Sequence, residues 1–380
     1  MAPRPLRFGL IGSGYMGRAH AIALHSAAPA FGADYTVECV TLADVTQERA
    51  QAAAQALGFG AGTADWRALI ADPRIDVVDI CTPNYLHAEM VLAAIAAGKH
   101  VYCEKPLALD LRQSLEIVAA TRRAQVCNVI GFNYICNPML QVAREMIAAG
   151  ELGTLVAFRG SYLEDYMSDP GVPYSWRCER KLAGSGALAD LGSHLINMAR
   201  FLVGPIARVS ANLQTVHAQR MDRSSGERRT VENEDMAQAL LEFSSGVRGT
   251  MEISRIATGY KCGLAVEIHG TRGTLLFDQE RMNELKFYST ADAAGRRGFR
   301  TILAGPEHAD YAAFCPAPGH GLGINDLKVI EIRNLIRAIR SGGAASPDFA
   351  EGLAVQQVMT AMELAARQRS WIDVDQGSAA

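Results

Sequence analysis

The stretch Gly12-Ser13-Gly14-Tyr15-Met16-Gly17 constrains this chain more than any other. It follows a short apolar run, Arg7–Ile11, and opens onto an alanine-rich segment that reads as a helix from Arg18. A glycine-rich turn between a buried strand and a helix begins a βαβ unit. In such a turn Gly12 permits the tight bend, Gly14 lets the backbone approach an anion, and Gly17 allows close helix–strand packing. The helix N-terminus adds N–H groups and a partial positive charge, which together suit a pyrophosphate.

The next hundred residues continue the pattern. Val37–Ala43 reads as a strand, Ala50–Leu57 as a helix closed by Gly58, and Asp76–Cys81 as a strand buried on both faces. Helix Ala88–Ala97 stops at Gly98, and strand His100–Cys103, helix Leu111–Arg123 and strand Asn128–Phe132 complete the series. Strand–helix alternation with short connections predicts an open parallel sheet. The segment Ala27–Tyr35, with Pro29 and Gly32, reads as a lengthened loop that sets Asp44 farther along than the usual interval. A carboxylate ending the second strand accepts hydrogen bonds from a ribose 2′-hydroxyl and repels a 2′-phosphate. Val45, not a cation, follows it, so the expected cofactor is NAD.

After Asn137-Pro138 the grammar changes. A helix over Met139–Ala149 leads to a strand at Leu155–Tyr162, an irregular stretch, and a helix near Leu188–Leu202. Alternating runs follow from Ile206, namely VSANLQTV, MAQALLEF, VRGTMEI, LAVEIHG and GTLLF, before closing helices at Ile324–Ile339 and Ala350–Arg367. The expected class is α/β, with two domains. A Rossmann NAD-binding domain takes 1–130, and an α+β domain over 131–380, with a large, mostly antiparallel, open-faced sheet, serves substrate binding and oligomerisation. An apolar sheet face turned away from the helices would need cover, so a homodimer or homotetramer is expected.

Composition removes several function classes. Lys plus Arg (37) nearly balances Asp plus Glu (40), and no basic block exists to hold nucleic acid or an anionic membrane. No apolar run is long enough to span a bilayer, and the first apolar run is too short for a signal peptide. The eight cysteines contain no C-x-x-C pair and no zinc spacing, and no H-E-x-x-H occurs. Reduced thiols, no metal and a cytoplasmic location are expected.

Three further stretches carry chemistry: CTPNYLH (81–87), GKHVYCEKP (98–106) and GSGALADLGSH (184–194). Lys105 follows a parallel strand at the end where such sheets bind ligands, and Pro106 biases it away from helical geometry. Asp190 and His194 are spaced i, i+4, as on one face of a helical turn. Oxidising an alcohol needs a base, a cation for the developing alkoxide and a nicotinamide. Taken in this order behind the glycine turn, the three stretches resemble the glucose–fructose oxidoreductase/inositol dehydrogenase (Gfo/Idh/MocA) family across almost the whole chain. The segments FRGSYLEDYMSDP and YSWRCERKLAGSGALADLGSH are similar to its levoglucosan-dehydrogenase-like branch.

That resemblance implies a catalytic trio, with His194 as base, Lys105 polarising the hydroxyl and Asp190 orienting the substrate. It implies further cofactor contacts from Tyr15, Met16, Thr82, Pro83, Asn84, His87 and Glu104. The implied reaction is oxidation of a ring hydroxyl of an anhydrosugar, glucoside or cyclitol. An NAD-requiring glycosidase, an inositol dehydrogenase and a catalytically silent dinucleotide sensor are the alternatives. One departure stands out: GFNYICNP places Ile135 and Cys136 where family members often carry a basic residue, which argues against simple transfer of an inositol substrate. Candidate substrate contacts are Asn133, Tyr162, Glu164, Trp176, Arg177 and His320, which offer an aromatic face and polar groups to a sugar.

Overall fold

The computed structural model describes residues 4–375, which form two compact units. One runs to Cys136 and takes in Gly323–Leu353; the other holds Asn137–Leu322 and resumes at Ala354. The chain thus returns to its first unit late, which no single boundary along the sequence expresses.

The first unit is built on β1 (Leu6–Ile11), β2 (Val37–Ala43), β3 (Ala61–Thr63), β4 (Val77–Ile80), β5 (His100–Cys103) and β6 (Asn128–Ile130). All pair in parallel, in the order β3-β2-β1-β4-β5-β6. The order reverses between β1 and β4, and a parallel α/β sheet binds ligands at the carboxyl ends of such a pair. Five helices connect the strands: α1 (Tyr15–Phe31), α2 (Gln47–Leu57), α3 (Trp66–Ala71), α4 (His87–Ala96) and α5 (Leu111–Ala124). The helix Ile324–Ser341 packs against α1. Phe8, Leu10, Leu42, Val77, Val78, Ile80 and Val101 are fully buried, which explains why these strands read as unbroken apolar runs.

One element differs from the sequence expectation. Of the residues read as a lengthened loop, Ala27–Phe31 continue α1, which starts at Tyr15 and runs through Pro29, and Ala33–Tyr35 form a short 3-10 turn after Gly32. A proline in the last turn forfeits a single backbone bond, and the Gly32 N–H closes that turn on the Ala28 carbonyl at 2.8 Å. The excess distance between Gly12 and Asp44 is therefore mostly helix. The short β3 and α3 went unread, being too brief to show a period.

The second unit centres on β7 (Leu155–Leu163). With β8 (Ile206–Gln214), β9 (Gln219–Met221), β10 (Arg228–Thr230), β11 (Met236–Phe243), β12 (Arg248–Ser254), β13 (Gly263–Gly270), β14 (Gly273–Asp278), β15 (Glu284–Ser289), β16 (Arg300–Leu303) and β17 (Ile372–Asp373) it makes a nine-stranded sheet and a separate β9–β10 hairpin. The β7–β12 pair is parallel and the other described pairs of the large sheet are antiparallel. Helices Pro138–Ala148 and Ser193–Val203 pack on it, touching β14, β15 and β7.

Period-two alternation does the sorting. Along β11, Ala237, Ala239, Leu241 and Phe243 are buried while Gln238 and Leu240 are exposed. The open face forms a depression of about 820 Å³ lined by residues such as Arg159, Asn212, Gln238, Leu240, Glu252 and Glu267. It is mixed and charged rather than apolar as expected, because the alternation that buries alanine and leucine turns polar neighbours outward.

Candidate active site

In the first unit the glycine turn behaves as its spacing demands. Gly12 has a φ of +97°, and a Cβ there would stand 2.7 Å from the Cys81 carbonyl oxygen. At Gly17 a Cβ would overlap the Gly12 oxygen outright. Around Gly14, by contrast, a Cβ would meet nothing within 4 Å, and α1 begins there without a side-chain cap. Two glycines are thus required by packing, and the third stands before open space at a helix N-terminus, where a pyrophosphate fits. Tyr15 is exposed on the same turn and Met16 half-buried.

Asp44 follows β2 and is tied back to the turn. Its Oδ2 accepts from the Ser13 N–H at 3.1 Å and from the Ser13 hydroxyl, and its Oδ1 accepts from the Val45 N–H at 2.7 Å. Burial works to raise its pKa, but these hydrogen bonds and the Arg49 charge hold it below the usual carboxylate range. Arg49 Nε, from α2, lies 3.4 Å from Asp44 Oδ1. A cation therefore does stand beside the carboxylate, reached through the fold rather than from the next position. Ser13 and Arg49 escaped the sequence reading, although Ser13 sits inside the glycine motif.

Two expected cofactor contacts are bonded to protein groups. His87 is fully buried, with Nδ1 2.8 Å from the Pro106 carbonyl and Nε2 2.9 Å from the Thr82 carbonyl. Burial lowers its pKa against the pull of those carbonyls. It braces the start of the Thr82-Pro83-Asn84 loop against Pro106, directly after Lys105. Glu104 is 4% exposed and its carboxylate is engaged by protein groups. Its Oε1 lies 2.9 Å from His20 Nε2 and 2.6 Å from Lys328 Nζ, and its Oε2 accepts from the Lys105 N–H at 3.2 Å.

The cluster behind Glu104 is extensive. His20 Nδ1 lies 2.8 Å from Asp79 Oδ1, and its ring stacks on Tyr102 with centroids 4.4 Å apart. Lys328 also reaches Glu331 at 2.9 Å, whose Oε2 accepts from the Tyr102 hydroxyl at 2.5 Å. Burial pushes Glu104 up, but Lys328 and His20 outweigh it and hold the carboxyl well below the usual range. Lys105, half-buried, follows directly and joins Pro106 through a cis peptide bond.

In the second unit, Asp190 and His194 do not share a regular α-helix. Leu188–Gly192 is a π turn that runs into helix Ser193–Val203, so Asp190 lies in the wide turn and His194 in the first α turn. Glu234 organises this entry: its carbonyl accepts from the Ala187 N–H at 3.0 Å and its Oε1 from the Leu188 N–H at 2.9 Å. Asp190 Oδ2 accepts from the Tyr166 hydroxyl at 2.6 Å. His194 is 7% exposed and meets the Tyr162 ring edge-on, with centroids 6.2 Å apart. Tyr166 and Glu234 were missed, although Tyr166 lies within the SYLEDYMSDP stretch that carried the resemblance.

The remaining candidates are dispersed. Tyr162 is buried beside His194, and Glu164 is half-buried just past β7, its N–H on the Ser254 carbonyl at 2.8 Å. The Arg177 guanidinium covers the half-buried Trp176 ring at 4.6 Å. Asn133 is buried in the first unit, and His320 is exposed between Gly319 and Gly321, both at positive φ.

Known proteins resemble the chain end to end. Residues 6–132 match the model of an oxidoreductase family with an NAD-binding Rossmann fold, and 140–276 match the GFO/IDH/MocA C-terminal domain. The chain is 40% identical to a levoglucosan dehydrogenase of Pseudarthrobacter phenanthrenivorans over 98% of its own length and 99% of that protein's. It is 28% identical to an inositol 2-dehydrogenase of Rhizobium meliloti over 92% and 93%. A solved levoglucosan dehydrogenase, in complex with NADH and levoglucosan, superposes with a TM-score of 0.95 at 39% identity, covering 98% of this chain and 100% of that one.

Proposed function

The chain belongs to the GFO/IDH/MocA oxidoreductase family, and from that premise we propose that it is an NAD-dependent dehydrogenase that oxidises a secondary ring hydroxyl of an anhydrosugar, glucoside or cyclitol to a ketone. The observation that carries this reading is the full-length likeness to levoglucosan dehydrogenase in a chain that keeps Lys105, Asp190 and His194. An anhydrosugar is accordingly the first substrate class.

The turn Gly12–Gly17 and Asp44 would hold NAD, which when bound accepts hydride from the alcohol carbon. The protein's own groups do the rest. His194, its ring plane set against Tyr162, takes the hydroxyl proton at a ring nitrogen. Lys105 places an ammonium on the oxygen as negative charge develops. Asp190 accepts from a sugar hydroxyl and fixes which carbon reacts. His87 and Glu104 hold the backbone on either side of Lys105.

Assembly into a homodimer or homotetramer would use the open sheet face, through charged and polar as well as apolar contacts. Eight free cysteines support a reducing, cytoplasmic setting. Among the described residues no helix is long and apolar enough to cross a membrane.

The test is NADH formation by the purified protein with NAD and a panel of anhydrosugars, glucosides, inositols and aldoses. Stoichiometric NADH with an anhydrosugar or glucoside is expected. Aglycone release without net NADH would replace the reading with a glycosidase, and silence across the panel would refute it.

A further inference from the structure

The segment after β7, from Glu164 to Ser175, has little regular structure, yet it is held at many points. Arg220, in the β9–β10 hairpin and 1% exposed, donates from Nη1 to the Asp169 and Val172 carbonyls at 3.0 and 3.1 Å and from Nη2 to the Met167 carbonyl at 2.5 Å. His217 Nε2 lies 3.0 Å from the Ser168 carbonyl, and the Met167 N–H donates to the Arg255 carbonyl at 3.0 Å. Met167 itself sits in a small core with Cys178 and Val231. A guanidinium taken out of water is expensive unless its donors find defined acceptors, and here three carbonyls of one loop receive the Nη1 and Nη2 donors.

Tyr166 is the residue this clamp presents. The residue is 36% exposed and its hydroxyl donates to Asp190 Oδ2 at 2.6 Å. The acceptor is fixed independently, since Glu234 holds the π turn that carries Asp190. Both ends of one short, charge-assisted hydrogen bond are thus anchored by separate buried groups, more than a tyrosine filling space requires.

We propose that Tyr166 is a positioning residue of the dehydrogenase: its hydroxyl fixes the Asp190 carboxylate in the orientation that receives the sugar, and Arg220 sets the loop that makes this possible. The inference rests on the sugar-dehydrogenase reading for its consequence, though not for the contact. Burial and the Asp190 charge hold the Tyr166 phenol well above its ordinary pKa, while Arg255 and Arg177 pull it down.

Tyr166→Phe keeps the ring and removes only the donor. We expect KM for the sugar to rise at least fivefold and kcat to fall less, with NAD affinity and melting temperature unchanged. Arg220→Lys, which cannot span three carbonyls, should raise KM in the same sense. With tyrosines labelled at 13Cζ, the resonance missing from Tyr166→Phe should titrate at a lower pH in Asp190→Asn than in the wild type, because the variant loses the Asp190 charge and keeps the effect of burial. Wild-type KM and kcat in Tyr166→Phe would overturn the proposal. If the wild type oxidises no substrate, the dehydrogenase reading fails instead, and the resonance still decides the contact: an unchanged titration in Asp190→Asn would overturn it.

Discussion

Replacing His20 with glutamine tests whether the buried charges behind Glu104 are held as the structure implies. The ring is fully buried between Asp79 and Glu104, with Lys328 beyond. Burial and the Lys328 charge disfavour its protonated form, but Asp79 and Glu104 win, and its pKa rises from 6.5 to about 9. At about 1.4 kcal/mol per pH unit, that rise is worth about 3 kcal/mol of stability. The folded state binds the proton more tightly, so the contribution is complete below pH 6.5, declines as pH climbs, and is gone above about 9. His20→Gln lacks it at every pH. The gap in stability between wild type and variant should therefore be widest near pH 6 and about 3 kcal/mol narrower near pH 9.5. In thermal melts that is a closing of roughly 6–12 °C, for a unit of about 150–250 residues. Melting curves of both proteins across this range are the assay. A gap that stays constant with pH would refute the reasoning, since it would mean that the ring loses packing but no proton linkage.

Other expectations follow from the same geometry. Asp44→Ala should weaken NAD binding by about 1–3 kcal/mol in titration calorimetry, through lost charge-assisted hydrogen bonds, and with Arg49 left beside the site it should narrow any preference over NADP. Gly17→Ala should abolish NAD binding or soluble folding, because its Cβ would collide with the Gly12 carbonyl; normal binding would contradict the packing role. His194→Asn should lower turnover about 10²–10⁴-fold while NAD affinity holds, and flatten the rise of the oxidative rate with pH; retention of a third of the rate with an unchanged profile would remove it as base. Light scattering at micromolar concentration should report an oligomer, and charge reversals at Arg159 and Glu252 on the open sheet face should shift it toward monomer.

What the sequence determined by itself was local and periodic. The glycine spacing, the strand–helix alternation and the alternating runs after Ile206 depend on neighbours along the chain, so the parallel sheet, the antiparallel sheet and the family resemblance were legible from order alone. The direction a side chain takes was not. Glu104 and His87 lie in motif stretches that mark them as candidates, yet their protein partners are not legible there: Glu104 pairs with Lys328, on a helix far along the chain. His87 is spent on two backbone carbonyls brought together by packing. Asp190 and His194 keep their i, i+4 spacing, but the wide turn that carries the first depends on Glu234 from a distant strand connection. Arg49, Tyr166 and Arg220 act through contacts that no spacing rule describes. A buried charge is tolerable only where the fold delivers its partner, and that delivery is a property of the packed structure rather than of any window of sequence.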